Sequence, residues 1–296
     1  MSQTTALIRR NTKLFFKDKG MLFTAMITPC ILLVLYATFL GNLYRDTFAQ
    51  QFQQMSISGE LLDGLVGGQL ISSLLAVSCV TVAFCSNILM VQDKANGSIK
   101  DLRITPVKTT ALSVGYFAAS LISTLLVCMT AAAVCLGYMA VTGWYLSAAD
   151  VVFLLLDVVM LSLFGTALSS VIHFFLSTQG QIAAVGSIVS AGYGFICGAY
   201  MPIATFGEGL QKVVSFLPGT YGTALVRNHA MRGAFAELAE EGVPRDVIKA
   251  VEDSLDFHPE FLGKTVDIGG MYAFLGISVA LLLGIFLLQN LSKKKA

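Results

Sequence analysis

The sequence predicts an all-α membrane protein with six transmembrane helices. Of its 296 residues, 55% are hydrophobic and 12% are charged, and the mean hydropathy is +0.75. A water-soluble domain usually carries about a quarter charged residues. Six apolar runs are each long enough to span a hydrocarbon core of about 30 Å, and basic residues concentrate in alternate connections between them. The composition therefore argues against a conventional soluble fold.

Residues 4–19 predict an amphipathic helix that lies in the headgroup region of the membrane. Leu7 and Leu14, and likewise Ile8 and Phe15, are seven residues apart and share one helix face. The opposite side carries four cations, Arg9, Arg10, Lys13 and Lys17. Each cation near anionic lipid contributes about 1 kcal/mol to membrane binding. A disordered basic tail is the alternative interpretation.

The six predicted crossings comprise residues 21–40, 69–91, 110–141, 150–172, 181–200 and 269–289. The third run is longer than one crossing requires, so we expect its helix to tilt or to begin in the interface. Trp144 and Tyr145 follow this run and are typical of an aromatic belt. Glycines in the fifth run permit close packing between helices.

A short charged segment separates the second and third crossings. We call residues 93–107 the island. Ser98 and Asp101 have the spacing of a capping box, which predicts that a helix begins at Ser98. Pro106 disfavours helical geometry in the residue before it, so this helix has about two turns.

The surface of the island has an apolar side and a basic side. Ile99 and Leu102 are three residues apart and share one helix face, while Lys100 and Arg103 are cationic. Two interpretations follow from the residues alone. The island is either an element offered to a partner in water, or a loop whose charges only fix the orientation of the chain.

Residues 201–268 form a long connection in two parts, which we expect on the extracellular side. The first part, 201–230, is too apolar for a solvated loop and too interrupted by Pro and Gly for a full crossing, so it predicts short re-entrant helices. The second part predicts a soluble helix that starts at Pro244. Its apolar face comprises Val247, Val251 and Leu255.

The distribution of basic residues predicts the orientation of the chain. Five basic residues precede the first crossing, four lie between the second and third crossings, and three lie at the C-terminus. Only one lies in residues 41–68 and none in 142–149. Because cytoplasmic loops are enriched in Lys and Arg, we expect both termini and the island in the cytoplasm and the chain in the cell membrane.

Asp157 is the acidic residue that lies deepest in a predicted crossing. It is seven residues from Asp150, which places it about 10 Å deeper on the same helix face. An intramembrane carboxylate is a candidate functional group, so Asp157 is a candidate for the translocation path. Alternatively, it lines a wet cavity or accepts hydrogen bonds from a neighbouring helix.

The sequence contains no pattern that indicates catalysis by this chain. One deep aspartate without a second carboxylate argues against an intramembrane protease, and no Ser-His pattern supports another membrane enzyme. The six cysteines form no CxxC pair, and no histidine pattern predicts a metal site. The strings LVGGQ and HPEFLGKT lack the context of nucleotide-binding motifs. We therefore expect no ATP hydrolysis by this chain and no bound cofactor or metal.

The pattern resembles the membrane permease subunit of the bacterial type-2 ATP-binding-cassette (ABC) exporters. Three features carry the resemblance: the basic helix at 4–19, the string NGSIKDLRITPVK, and the stretch GAYMPIATFGEGLQKVVSFLPGTYGTALVR. Together they extend over most of the chain. Members of this family export drugs, antibiotics and polysaccharides.

The resemblance implies that the island is a coupling helix that docks on a separate ATPase subunit, which binds ATP and Mg²⁺. The residues implied in coupling are Asn96, Gly97, Ser98, Ile99, Asp101, Leu102, Arg103 and Pro106. The turn at 173–180 would make a smaller second contact. The residues implied in an extracellular gate are Pro202, Pro218 and Tyr221.

The resemblance also implies partners and a direction of transport. The partners are an ABC ATPase, a second permease chain in a homodimer or heterodimer, the lipid bilayer and the exported substrate, with no role for nucleic acid. Export of a drug, antimicrobial or lipid-like substrate and export of a polysaccharide or glycolipid fit the same outline. A carrier without an ATPase should instead show inverted repeats and paired intramembrane charges.

The six-crossing topology makes a direct prediction. Cysteines introduced at Gln53 and at Glu252 should react with a membrane-impermeant thiol reagent added to intact cells, because both positions are expected outside. Reaction at either site only after permeabilisation would contradict the topology.

Overall fold

The computed structural model describes residues 3–53, 55, 57–104 and 107–292, without the side chains of Arg103, Thr109 and Ser292. The first half contains α1 (Gln3–Lys17), α2 (Lys19–Leu35), a π-helical turn (Tyr36–Leu40), α3 (Gly41–Gln51), α4 (Gly59–Ser86), α5 (Ile88–Ala95), α6 (Ser98–Ile104) and α7 (Thr109–Thr142). The second half contains α8 (Ala148–His173), α9 (Gln179–Ile196), a 3₁₀ turn (Ile203–Thr205), α10 (Glu208–Val214), α11 (Pro218–Glu240), α12 (Arg245–Ser254), β1 (Glu260–Phe261), β2 (Lys264–Thr265) and α13 (Ile268–Ser292).

Five helical segments of the described chain are long and apolar enough to cross a membrane. They are Lys19–Gln51, Gly59–Ala95, Thr110–Thr142, Ala148–His173 and Ile268–Leu291. These segments coincide with five of the predicted crossings and confirm an all-α membrane protein. The remaining predicted crossing, 181–200, coincides with α9, whose 18 residues extend about 27 Å. Two glutamines in the first turn of α9 lower its hydropathy, so the count of six crossings stays a prediction.

The second crossing begins earlier than predicted. The sequence placed its start at Gln69, but α4 begins at Gly59, where the Ser58 hydroxyl accepts a hydrogen bond from the Leu61 amide at 3.2 Å. Glycines between these points disfavour a helix in isolation. Tertiary packing overrides that preference, because a Cβ added at Gly64 would lie 2.6 Å from the Tyr145 ring.

The helix α4 is the centre of the bundle. It contacts α2, α7, α8, α9 and α11. In the most apolar 18-residue stretch of the segment Gly59–Ala95, 94% of the residues are buried inside the protein. Small residues bring backbones together on two of its sides. A Cβ at Gly68 would lie 2.9 Å from the Ala230 carbonyl oxygen of α11, and one at Gly165 of α8 would lie 2.9 Å from the Cys79 carbonyl oxygen. This close contact is the packing mode expected for helices in a membrane.

The segment after the fifth predicted crossing is less fragmented than expected. The sequence predicted short helices across 201–230, whereas α11 alone has 23 residues and is buried along most of its length. It runs antiparallel to α8, since Gly222 contacts Leu161 and Arg232 pairs with Asp150. The 3₁₀ turn and the short α10 agree with the prediction, whereas α11 is longer than expected because the glycine at Gly222 permits close packing. The re-entrant character of these helices stays a prediction.

The last part of this connection matches the prediction in outline. α12 extends over Arg245–Ser254 and buries Ile248 and Val251, with Leu255 buried just beyond it. A hairpin follows that consists of the two-residue strands β1 and β2, which pair antiparallel with Glu260 opposite Thr265. The sequence did not predict this hairpin.

Candidate functional site

The island follows directly from the central helix, and Asn87 fixes the join between α4 and α5. The Asn87 amide donates to the Ser169 and Ser170 hydroxyls of α8 at 2.8 and 2.9 Å. The Ser120 hydroxyl of α7 donates to the Asn87 side-chain oxygen at 2.9 Å. All four residues are buried. Asn87 therefore holds one end of α4 between α7 and α8 and sets the point from which α5 leaves.

Asp93 anchors the island to the N-terminal helix. Arg10 Nη1 of α1 lies 2.9 Å from the Asp93 carboxylate, and the Tyr116 hydroxyl of α7 donates to the same oxygen at 2.5 Å. Because Asp93 is 6% exposed, these hydrogen bonds satisfy a carboxylate that is almost out of water. The hydrogen bond that the Arg10 guanidinium donates to the Asp93 carboxylate raises the pKa of Arg10. The contact joins α1, α5 and α7 at one point.

Lys94 connects the island to the turn after α8. Its Nζ donates to the carbonyl oxygens of His173 and Phe174, both at 2.9 Å, and of Leu176 at 3.1 Å. A cation at the carbonyl end of a helix is favoured both by the unpaired carbonyl groups and by the helix dipole. The two segments that the resemblance implied as ATPase contacts are therefore bonded to each other within this chain.

The helix α6 begins at Ser98 as predicted. Gly97 precedes it with φ +79°, a conformation that favours glycine, and so permits the sharp turn out of α5. Asn96 and Asp101 are exposed, whereas Gly97 and Ser98 are half-buried. The side chain of Arg103 and the whole of Pro106 lie outside the described residues.

Ile99 and Leu102 do share one face, but that face points into the chain itself. Both side chains are half-buried and pack against a cluster that includes Leu7, Leu112 and Tyr116. The chain's own residues therefore cover part of this face, and the coupling role implied for Ile99 and Leu102 stays a prediction. A better-placed apolar side chain is Ile104, which is 84% exposed at the end of α6.

The N-terminal helix packs on the bundle more closely than its amphipathic pattern predicted. Arg9, Lys13 and Lys17 are exposed as expected. Arg10 instead points to Asp93, and Leu14 is 37% exposed. α1 ends at Lys17 because the Asp18 carboxylate caps α2 by accepting hydrogen bonds from two backbone amides.

Asp157 has two hydrogen-bond partners on neighbouring helices. His229 Nδ1 of α11 lies 2.6 Å from one carboxylate oxygen, and the Tyr272 hydroxyl of α13 donates to the other at 2.5 Å. Asp157 is 0% exposed. It therefore does not line an open path in this conformation, and it joins α8, α11 and α13 instead.

A second buried charge on α11 was not predicted. Arg227 is 1% exposed and donates to Gln69 Oε1 at 3.2 Å, to the Leu255 carbonyl oxygen at 2.5 Å and to the Gly198 carbonyl oxygen at 2.7 Å. Its Nη1 also lies 3.8 Å from the Asp256 carboxylate. Burial raises the pKa of Asp256, and Arg227 opposes that rise. Arg227 thus ties α4, α11 and the segment after α12 together.

The residues implied in an extracellular gate flank these contacts. Pro202 precedes the 3₁₀ turn, and Pro218 is the first residue of α11. Tyr221 is fully buried, its hydroxyl donates to the Ser215 carbonyl oxygen at 2.5 Å, and its ring stacks on Phe274 at 4.5 Å.

One signal in the sequence could have indicated the polar contacts of α11. Arg227, His229 and Arg232 fall in a stretch that is otherwise small or apolar, from Gly219 to Ala234. Charged side chains in such a stretch predict partners on facing helices, and Asp150 and Asp157 were available. Lys94 gave no comparable signal, because its partners are backbone carbonyl groups far away in the chain.

The apolar helices and their buried polar contacts define a multi-pass membrane protein. A family model described as ABC-2 type transporter matches residues 2–230. The chain belongs to this family, whose members are membrane components of ABC transporters and are not themselves catalytic. The family implies an ABC ATPase as a partner. A search of curated proteins finds no significant match.

The anchor at Asp93 can be tested by its contribution to stability. Asp93→Ala leaves the Arg10 and Tyr116 donors without their shared acceptor, which we expect to lower stability by about 1–3 kcal/mol. Asp101→Ala removes an exposed carboxylate of the same island and should change stability by less than about 0.5 kcal/mol. Thermal unfolding of the detergent-solubilised chain measures both. Equal melting temperatures for the two variants would contradict the anchor.

Proposed function

We propose that this chain is the permease subunit of an ATP-driven exporter that moves a drug, antimicrobial or lipid-like substrate outward by alternating access. Membership of the family supports the permease role. In this proposal the chain lies in a bacterial cell membrane with both termini in the cytoplasm, and it works beside a second permease chain. A separate ATPase subunit binds ATP and Mg²⁺ and supplies the energy.

The observation that carries the proposal is the attachment of the island to the rest of the chain. Asp93 bonds to α1 and α7, and Lys94 bonds to the carbonyl groups after α8. A loop whose charges only fix orientation does not require such anchors. An element that receives a push does, because an unanchored helix of about two turns would move without moving the bundle.

The central helix offers a route for that push. α4 and α5 form one apolar segment of 37 residues, Gly59–Ala95, which extends about 55 Å. Its cytoplasmic end carries the island, and farther along it packs against α11 at Gly68. We propose that displacement of the island is transmitted along this segment to α11, and that α11 with the turn before it forms the outer gate near Pro202, Pro218 and Tyr221.

The position of the exposed apolar residue suggests how the ATPase docks. Ile104 is 84% exposed, whereas Ile99 and Leu102 hold α6 against its own chain. A large aliphatic side chain next to exposed polar residues is a typical anchor for a pocket on a partner. We therefore assign Ile104 to the ATPase contact, with Asn96 and Asp101 at its rim, and the two half-buried residues to positioning.

The proposal predicts different effects for two substitutions in α6. Ile104→Asp should leave the stability of the permease unchanged but reduce co-purification of the ATPase at least about tenfold, because a carboxylate would enter an apolar pocket. Leu102→Asp should lower the melting temperature of the permease itself, since it buries a carboxylate against the chain's own apolar cluster.

Leu262→Asp is the matched control, because Leu262 is 73% exposed between β1 and β2, outside the candidate spans. It should keep the ATPase bound. Wild-type co-purification and transport in Ile104→Asp would rule out the docking role. Stimulation of ATP hydrolysis in the reconstituted complex, measured with drug-like, lipid-like and polysaccharide compounds, then identifies the substrate class.

A further inference from the structure

Three basic side chains hold α11 in the bundle, and they differ in chemistry. Arg227 and Arg232 are guanidinium groups, which act only as hydrogen-bond donors. His229 is the imidazole of this set, a type of side chain that can bind and release a proton. The Arg232 side chain pairs with Asp150 and is half exposed. The His229 side chain pairs with Asp157, and both of these side chains are buried.

The pocket around His229 is closed and specific. The side chains of His229 and Asp157 are 3% and 0% exposed, and their contact is 2.6 Å. The Tyr272 hydroxyl occupies the second oxygen of Asp157 at 2.5 Å. The Phe153 ring stacks on the imidazole with 5.2 Å between ring centres. Both carboxylate oxygens therefore have one partner each, and one face of the imidazole is covered by an aromatic ring.

We propose that Asp157, His229 and Tyr272 form a proton-binding site that locks α11 between α8 and α13, and that loss of this proton releases α11. The link to gating rests on the proposed function, in which α11 belongs to the outer gate. The proton site itself does not depend on that role.

The charge balance of the site supports the lock. With the proton bound, a histidinium and a carboxylate face each other and the site is neutral overall. Without it, a net charge of −1 remains on a group that is removed from water. An uncompensated charge in such a place costs several kcal/mol unless the structure opens to admit water. Proton binding and the packing of α11 therefore favour each other by linkage.

The surrounding charged groups cannot supply the missing compensation. On α8, Asp150 pairs with Arg232. On α11, Arg227 is bonded to Gln69 and to backbone carbonyl groups. α13 carries no Asp, Glu, Lys, Arg or His, and α4 carries none from Gly64 to Ser86. The net charge of this site therefore changes only when the Asp157–His229 pair binds or releases its proton.

The arrangement gives the proton a short route to one side of the membrane. Asp150 lies in the first turn of α8 and pairs with Arg232 of α11. Asp157 lies about 10 Å farther along α8. Phe153 lies between these two levels, and its ring stacks on the His229 imidazole. This end of α8 is the predicted outer side, so acidity outside the cell would keep α11 locked and a rise in external pH would release it.

Hydrogen exchange of α11 tests the site without the ATPase. The full-length chain is placed in lipid nanodiscs, and exchange of α11 peptides is followed by mass spectrometry from about pH 5 to about pH 8, corrected for the intrinsic dependence of exchange on pH. We expect the protection of α11 to fall about tenfold across this range, which corresponds to a coupling of about one pKa unit. Protection that is constant in the wild-type chain would overturn the proposal without the need for any variant.

Three substitutions locate the effect. His229→Gln and Asp157→Asn should each make the protection of α11 independent of pH. His258→Gln is the matched control, because His258 pairs with Asp253 at 2.9 Å but is exposed, and this variant should keep the wild-type profile. A wild-type profile in Asp157→Asn would overturn the assignment to this site. If the profile behaves as expected while Ile104→Asp still binds the ATPase, the proton site stands and the docking proposal fails.

Discussion

A charged side chain that is buried in this chain has to find its partner within the protein, and this constraint determines where α11 lies. Four parts of the chain supply partners for the three basic side chains of α11, Arg227, His229 and Arg232. The partners are Gln69 of α4, Asp150 and Asp157 of α8, and groups before α10 and after α12. Lipid offers no substitute for these contacts. A helix with this sequence is therefore stable only where those elements meet, and moving it requires that several buried contacts change together.

Close packing of small residues makes the same arrangement possible. α4 contacts α11 and α8 through positions where a side chain would collide with backbone, as at Gly68 and Gly165. The polar anchors at Asn87, Asp93 and Lys94 then connect this tightly packed region to the island. In our account, the outer and inner ends of the permease are joined by α4 and α5, two consecutive helices whose junction is fixed at Asn87. This is the physical basis for transmitting a push from an ATPase to the opposite side of the membrane.

The sequence was sufficient for features that depend on local patterns. Long apolar runs predicted five helices that the structure contains, and the spacing at Ser98 predicted the start of α6. It was insufficient where tertiary contacts oppose local preference. The glycines before Gln69 favour a break, yet they form the first turns of α4 because they fit against Tyr145 and α11. For the same reason the length of α11 was underestimated.

The partners of the buried charges could not be derived from spacing. Asp157 and His229 are 72 residues apart, and no periodicity connects them. The shared face of Ile99 and Leu102 was predicted correctly, but a pattern of two apolar residues does not say whether they face their own chain or another. Only the positions of α1 and α7 decide this, because their side chains form the cluster on which α6 lies.

The most direct test of the account is a distance across the transporter. Spin labels at Glu240, which is exposed at the end of α11, report the separation of the two permease chains on the outer side. The measurement compares the nucleotide-free complex with the complex trapped with ATP on its ATPases. The account predicts that this distance changes when ATP binds to the ATPases, although they lie on the opposite side of the membrane from the labels. A distance that stays constant while the same preparation transports substrate would contradict it.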